Sequence, residues 1–165
     1  MHYSDLDTLK TQVAVWKQSG KKIVFTNGVF DILHVGHVDY LTEAGALGDI
    51  LIVGINDDAS VRKLNKGPER PIHDETARAR VVAALKPVGA TIIFSEETPI
   101  HLIENICPDV LVKGGDYDPN ETDPNKKTYM VGSKEVNAYG GKVIVIPLTV
   151  GYSTTNAVNK MRGNA

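Results

Sequence analysis

The chain has 165 residues, 42% of them hydrophobic and 23% charged, with 18 Lys and Arg against 20 Asp and Glu for a formal net charge of −2. This length suits one domain around one core, and the near-neutral charge gives no electrostatic case for nucleic acid as a partner. No apolar run reaches membrane-spanning length and the start lacks a basic-then-apolar secretion pattern, so the expected location is the cytoplasm, with no membrane as partner.

Taken in order, Ser4 with Asp7 three residues on reads as a helix start, after which Leu6, Leu9, Val13 and Trp16 share one face as far as Gly20. Residues 1–21 are thus expected as a leading amphipathic helix that could cover the sheet or a partner subunit, and 22–165 as the rest of a single domain. Strands are predicted at 23–26, 50–55, 91–94, 110–113 and 143–146. Each is nearly continuous in apolar residues, as in a sheet covered on both faces. Helices are expected between them: one after Gly36, ended by Gly48; one from about Asp74 with Ala77, Val81 and Leu85 inward; one from Thr98-Pro99 that buries Ile103 and Ile106; a short one over 133–139, ended by Gly140-Gly141; and a last one from Ser153. The single cysteine, Cys107, cannot close an internal disulfide and, late on an apolar helix face, is expected to fill a gap in the core. The alternation predicts a single Rossmann-like α/β domain, a doubly wound five-stranded parallel sheet with right-handed crossovers, binding its ligand across the carboxyl ends of the strands. Two connections too long for plain turns, 56–73 and 114–132, leave such ends and are expected to fold over substrate.

The most informative stretch runs from Lys22 to Leu47. A β-branched and aromatic strand ends at Asn27-Gly28, a loop follows with His34, Gly36 and His37, and Val38, Leu41 and Ala44 then fall at helical spacing. A strand feeding a helix through such a loop puts the first helical amides at the sheet's carboxyl edge, where unpaired donors and the helix dipole hold phosphate. Both histidines sit in that mouth and could donate to one anion. The stretch contains neither the Gly-x-Gly-x-x-Gly fingerprint nor the Gly-x-x-x-x-Gly-Lys-Ser/Thr loop, which argues against an ordinary dinucleotide binder or P-loop enzyme.

Cations and hydroxyls for the same chemistry come from elsewhere. The connection over 56–73 carries Arg62, Lys63, Lys66 and Arg70. Lys113-Gly114-Gly115-Asp116-Tyr117 leaves a strand with glycines that let backbone approach a ligand. Gly151-Tyr152-Ser153-Thr154-Thr155 opens a helix with free amides and hydroxyls, a second anion site. Asp31, a carboxylate beside a glycine turn, is expected to hold its loop by accepting backbone N–H groups rather than to bind metal.

Gly28-Val29-Phe30-Asp31-Ile32-Leu33-His34-Val35-Gly36-His37 resembles the His-x-Gly-His motif that defines the cytidylyltransferase-like nucleotidyltransferases. Over most of its length the chain is similar to the heptose-1-phosphate adenylyltransferases, the ADP-heptose synthases of bacterial lipopolysaccharide biosynthesis. That likeness rests on Lys-Gly-Gly-Asp-Tyr, Gly-Tyr-Ser-Thr-Thr, the Ala46-Leu47-Gly48-Asp49 turn and Asn56-Asp57-Asp58-Ala59-Ser60-Val61-Arg62. The resemblance implies transfer of AMP from ATP to a sugar 1-phosphate with release of pyrophosphate. It implies His34, His37 and Lys66 as catalytic groups. It places Gly28, Val29, Phe30, Asp31, Gly36, Lys113, Gly114, Gly115, Asp116, Gly151, Tyr152, Ser153, Thr154 and Thr155 around the nucleotide, and Asn56, Arg70, Arg78 and Tyr117 near the acceptor. Mg²⁺ is expected to travel with ATP and to take few protein ligands, with no metal site of the protein's own. A homodimer is expected, as is a separate sugar kinase upstream.

Two alternatives stay open: a glycerol-3-phosphate-type cytidylyltransferase using CTP, and an inactive nucleotide-binding or scaffold subunit. Against the first, Leu148-Thr-Val-Gly lacks the arginine those enzymes carry before Ser-Thr-Thr, and Ser95-Glu96-Glu97 stands where they have a lysine. The stretch from Asp118 to Met130 is longer and more charged than is usual in the heptose enzymes and leaves the acceptor open.

Overall fold

The computed structural model describes residues 1–64, 69–149 and 151–161. Its elements in chain order are β1 (His2–Tyr3), α1 (Leu6–Gln18), β2 (Ile23–Gly28), α2 (Val35–Gly45), β3 (Ile50–Asn56), α3 (Asp58–Lys63), α4 (Glu75–Ala83), β4 (Ala90–Phe94), α5 (Ile100–Ile106), β5 (Val110–Gly114), α6 (Ser133–Ala138), β6 (Lys142–Ile146) and α7 (Thr154–Met161). All strands pair in parallel in the order β1-β4-β3-β2-β5-β6. The five predicted strands are present to within two residues at either end. The sixth, β1, adds two residues beside Thr91 and Ile92, a segment too short and too polar to announce itself.

Along each central strand successive side chains enter opposite layers. Ile23, Phe25 and Leu111 join Leu9, Val13, Leu102, Ile103, Ile106 and Met130 beneath α1, α5 and α6. Val24, Val53, Val110 and Val112 join Tyr40, Leu41, Ala79 and Val82 beneath α2 and α4. This is why the strands read as unbroken apolar runs. The order in which strands are added reverses between β2 and β5, so the crevice for ligand opens above the neighbouring ends Asn27-Gly28 and Lys113-Gly114. Among the described residues no helix is long and apolar enough to cross a membrane.

Three local expectations are corrected. The cap of α1 is Asp5, whose carboxylate accepts from the Thr8 amide at 2.8 Å, rather than Ser4. In α4, capped by Asp74 as expected, Val81 is 53% exposed and the buried face is Arg78, Ala79 and Val82. A helical period of 3.6 admits both faces, and the partners waiting for the Arg78 guanidinium select the second. Cys107 is exposed, not core: it follows α5 with φ +46 and donates its amide to Ile103 O, stopping the helix one residue after the apolar face ends. Lys17 Nζ caps the same terminus through Ile106 O (2.9 Å) and Cys107 O (2.6 Å).

Candidate active site

A cleft of about 590 Å³ lies along the carboxyl edge of the sheet and receives residues from the ends of β2, β3, β4, β5 and β6. That volume falls among ordinary small-ligand sites. At its centre Lys113 Nζ, from the end of β5, donates to Asn27 Oδ1 at the end of β2, bridging the point where strand order reverses. Desolvation pulls the Lys113 pKa down to about 8, and its ammonium stands 5.8 Å from the centre of the Tyr117 ring. A cation held in this partly dehydrated state gains from any phosphate that arrives beside it.

The loop from β2 to α2 is shaped around two rings. Phe30 adopts φ +49, unusual for a residue with a side chain, and lays its ring against Gly28 and, at 5.3 Å between centroids, against His37. A Cβ on Gly28 would stand 2.9 Å from the Phe30 ring, so any larger residue there would have to displace that ring. His34 occupies the N-cap of α2 without capping through its side chain, and the His34 and His37 rings stack with centroids 3.8 Å apart and planes 21° from parallel. Gly36 leaves room beside the stack, since a Cβ there would meet His34 Nδ1 at 3.1 Å and the ring would have to shift by a few tenths of an ångström. Burial lowers the His34 pKa below the usual histidine range. Near neutral pH its imidazole is therefore a neutral donor, and the adjoining N-terminus of α2 supplies the fixed positive field.

A second segment, leaving β6, closes over this loop. Leu148 lies against Gly114 and Gly115, Thr149 Oγ1 donates to the Asp39 carboxylate at 3.0 Å, the Tyr152 ring lies 6.4 Å from that of His34, and Thr154 Oγ1 donates to Ile32 O at 3.3 Å. Of the histidine loop and the Ser-Thr-Thr segment, expected to converge, the structure brings four residues together. His34, His37, Ser153 and Thr154 line one cleft.

Two buried arginines hold the remaining wall. The Asp31 carboxylate, inaccessible to solvent, accepts from the Ile72 and His73 amides at 2.9 Å and from Arg70 Nε. Burial alone would raise its pKa, but those two amides and Arg70 outweigh it and hold the carboxyl below its ordinary range. Asp31 thus ties the histidine loop to the segment before α4, and Arg70 lines the cleft from that tie. Arg78 does not line the cleft, contrary to its expected place near the acceptor. It is 1% exposed and donates to Val29 O (2.6 Å), Asn56 O (2.7 Å), His73 O (3.0 Å) and Asp58 Oδ1 (2.7 Å), joining three loops from beneath.

Gly28, Val29, Phe30, Asp31, Gly36, Asn56, Lys113, Gly114, Tyr117 and Tyr152 also face the cleft. Gly115, Asp116 and Gly151 are not among its lining residues, and Asp116 is exposed. Lys66 lies outside the described residues, and Thr155 is placed only as part of α7. Sequence reasoning missed Asn27, Tyr40, Thr149, Tyr129 and the turn Glu97-Thr98-Pro99, all of which line the cleft. A polar residue closing a buried strand was the available signal for Asn27; for Tyr129 the signal was its place in the connection over 114–132, expected to fold over substrate, which did not single out the residue.

A family model described as cytidylyltransferase-like matches residues 25–160. The chain is 50% identical over 158 residues to the bifunctional protein HldE of Geotalea uraniireducens, covering 96% of this chain and 30% of that protein. It is also 50% identical over 162 residues to the bifunctional protein HldE of a Caulobacter species, covering 98% and 31%. The chain thus spans about a third of the length of these relatives. Among solved structures, the lipopolysaccharide core biosynthesis protein of Thermoplasma volcanium aligns with a TM-score of 0.59 at 31% identity, over 79% of this chain and 98% of that one. A pantoate-beta-alanine ligase from Francisella tularensis, at 15% identity and a TM-score of 0.64 over 96% of this chain and 72% of that one, shares the fold.

Proposed function

The chain belongs to the cytidylyltransferase-like family, and from that premise we propose that it is an adenylyltransferase. In this reading it moves AMP from ATP to a sugar 1-phosphate, D-glycero-β-D-manno-heptose 1-phosphate foremost, and releases pyrophosphate. The observation that carries the reading is the meeting of the stacked His34–His37 pair, the start of α2, Ser153 and Thr154, and Lys113 in one cleft at the strand-order reversal. The half-identity to proteins called bifunctional HldE, together with a structural match titled for lipopolysaccharide core biosynthesis, supports the choice of acceptor.

The acceptor's phosphate oxygen is already an anion, so no base has to activate it; the protein must align it with the α-phosphorus and stabilise the charge that passes to pyrophosphate. His34 and His37 donate to oxygens of the reacting phosphates. The amides opening α2 supply a fixed dipole, the Ser153–Thr154 side closes the polyphosphate from above, and Lys113 meets it at the sheet edge. Lys66 is proposed to clamp the same phosphates from the connection after α3. Mg²⁺ would arrive on the triphosphate, polarising it. Asp31, the carboxylate within the Gly28–His37 stretch, is already committed to Arg70 and two backbone amides, so the nucleotide itself is the better source of ligands. A kinase activity is proposed to make the acceptor phosphate, and a homodimer to be the working form.

The test is pyrophosphate release from heptose 1-phosphate with ATP and CTP side by side. Faster release with ATP is expected; faster release with CTP overturns the assignment of the base, and none from either nucleotide overturns the enzyme.

A further inference from the structure

The cleft straddles the sheet, and its two halves differ in chemistry. Phe30 and Tyr40, beneath the histidine loop, belong to the layer under α2 and α4, whereas Tyr117 packs on the opposite layer with Leu102 and Met130. The first half carries the features that hold phosphate. In the second, the described lining residues are Glu97, Thr98, Pro99, Tyr117, Tyr129 and Val131, with no lysine or arginine among them. A carboxylate repels phosphate but accepts hydroxyl groups strongly, threonine both accepts and donates, and tyrosine rings cover the C–H faces of a saturated ring while their hydroxyls reach its oxygens.

This half is also built on fixed supports. Met130, fully buried between Tyr129 and Val131, is sunk in the core, and the Asp118 amide donates to Thr128 O at 2.9 Å, closing the base of the long charged loop. Buried Pro99 holds the Glu97-Thr98 turn at the start of α5. Lys113 stands on the border, bonded to Asn27 on one side and facing the Tyr117 ring on the other.

We infer that the half formed by Glu97, Thr98, Tyr117 and Tyr129 is the acceptor's polyol subsite: the tyrosines cover the sugar ring, Glu97 and Thr98 take its hydroxyls, and its phosphate lies toward Lys113. This rests on the proposed transfer to a sugar phosphate. It also assigns a task to the loop from Asp118 to Met130, which holds Tyr129 at the rim.

Calorimetric titration of the full chain, its Glu97→Gln variant and its Tyr129→Ala variant tests the inference. The probes are D-glycero-β-D-manno-heptose 1-phosphate, inorganic phosphate and the non-hydrolysable α,β-methylene-ATP. Each substitution should weaken the sugar phosphate about tenfold, as expected for one lost charged hydrogen bond or stacked ring, and leave the other two probes within about twofold. Unchanged sugar phosphate affinity in both variants overturns the subsite, and so does an equal loss for the ATP analogue, which would place the nucleotide base in this half. Sugar phosphate binding that the variants lose, in a chain releasing no pyrophosphate, upholds the subsite while the proposed reaction falls.

Discussion

Arg78→Met removes a buried guanidinium and leaves a side chain of similar length. The Val29, Asn56 and His73 carbonyls and the Asp58 carboxylate together lose four hydrogen bonds of 2.6 to 3.0 Å. A buried acceptor left without a partner costs about 1–3 kcal/mol. Asp58 keeps 21% of its side chain in solvent and can rehydrate, so the three carbonyls dominate. Relief of the guanidinium's own desolvation offsets part of their cost. A net loss of about 3–4 kcal/mol follows, a large share of the roughly 5–15 kcal/mol that keeps a domain folded. With a denaturant slope of about 2 kcal/mol/M, the urea midpoint should fall by about 1.5–2 M. Arg80→Met, on the exposed side of the same helix, is the control, and Arg78→Lys should recover part of the loss. If Arg78→Met falls within about 1 kcal/mol of Arg80→Met, the guanidinium does not hold the three loops together and the account of this wall is wrong.

Gly36→Ala should cut turnover about tenfold, because the added Cβ, 3.1 Å from His34 Nδ1, pushes that ring by a few tenths of an ångström, while thermal unfolding stays level or rises with the better helix former; full turnover would mean that the reaction does not depend on this ring's exact position. His37→Ala should cost about a hundred- to thousandfold in turnover if the ring donates to the reacting phosphates, measured as pyrophosphate release by a variant with unchanged circular dichroism. With its pKa near 8, Lys113 loses its proton above that pH in the free protein, whereas bound phosphate favours the charged form. ATP affinity should therefore fall about tenfold between pH 7 and 9 with proton uptake on binding, and Lys113→Gln should flatten that profile. Through the same group alone, stability rises from about pH 8 towards the ordinary lysine pKa, since there the unfolded chain binds more protons than the native one. Exposed Cys107 should react with a thiol reagent in the native state at nearly the rate of the unfolded chain; strong protection would return it to the core.

Much of the fold was legible because the signals are local. Both faces of the sheet are covered, so 23–26 and 50–55 read as apolar runs whatever their neighbours, and the change to helical spacing after Gly36 marks the turn that carries the motif. The family reading drawn from Gly28 to His37 agrees with the family model over residues 25–160. What failed were choices between equivalent local patterns. The spacing of Ala77, Val81 and Leu85 describes one face of α4 as well as Arg78 and Val82 describe another, and what decides between them are the Val29 and Asn56 carbonyls from two distant loops, with that of His73 just before the helix. Cys107 continues an apolar periodicity that stops because the chain must turn toward β5.

The amino-acid order alone determined the strand–helix alternation, the parallel sheet and a loop with two histidines between a strand and a helix, since each is announced by residues within a turn or two of one another. Tertiary structure decided that Lys113 meets Asn27, that Asp31 belongs to Arg70 and Arg78 to three carbonyls, and that Glu97 and Tyr129 share a wall. Apart from Arg78 and His73, five residues apart, those pairings span 22 to 86 residues, and a buried charge takes its partner from whatever the folded chain brings within hydrogen-bonding distance, which no local spacing encodes.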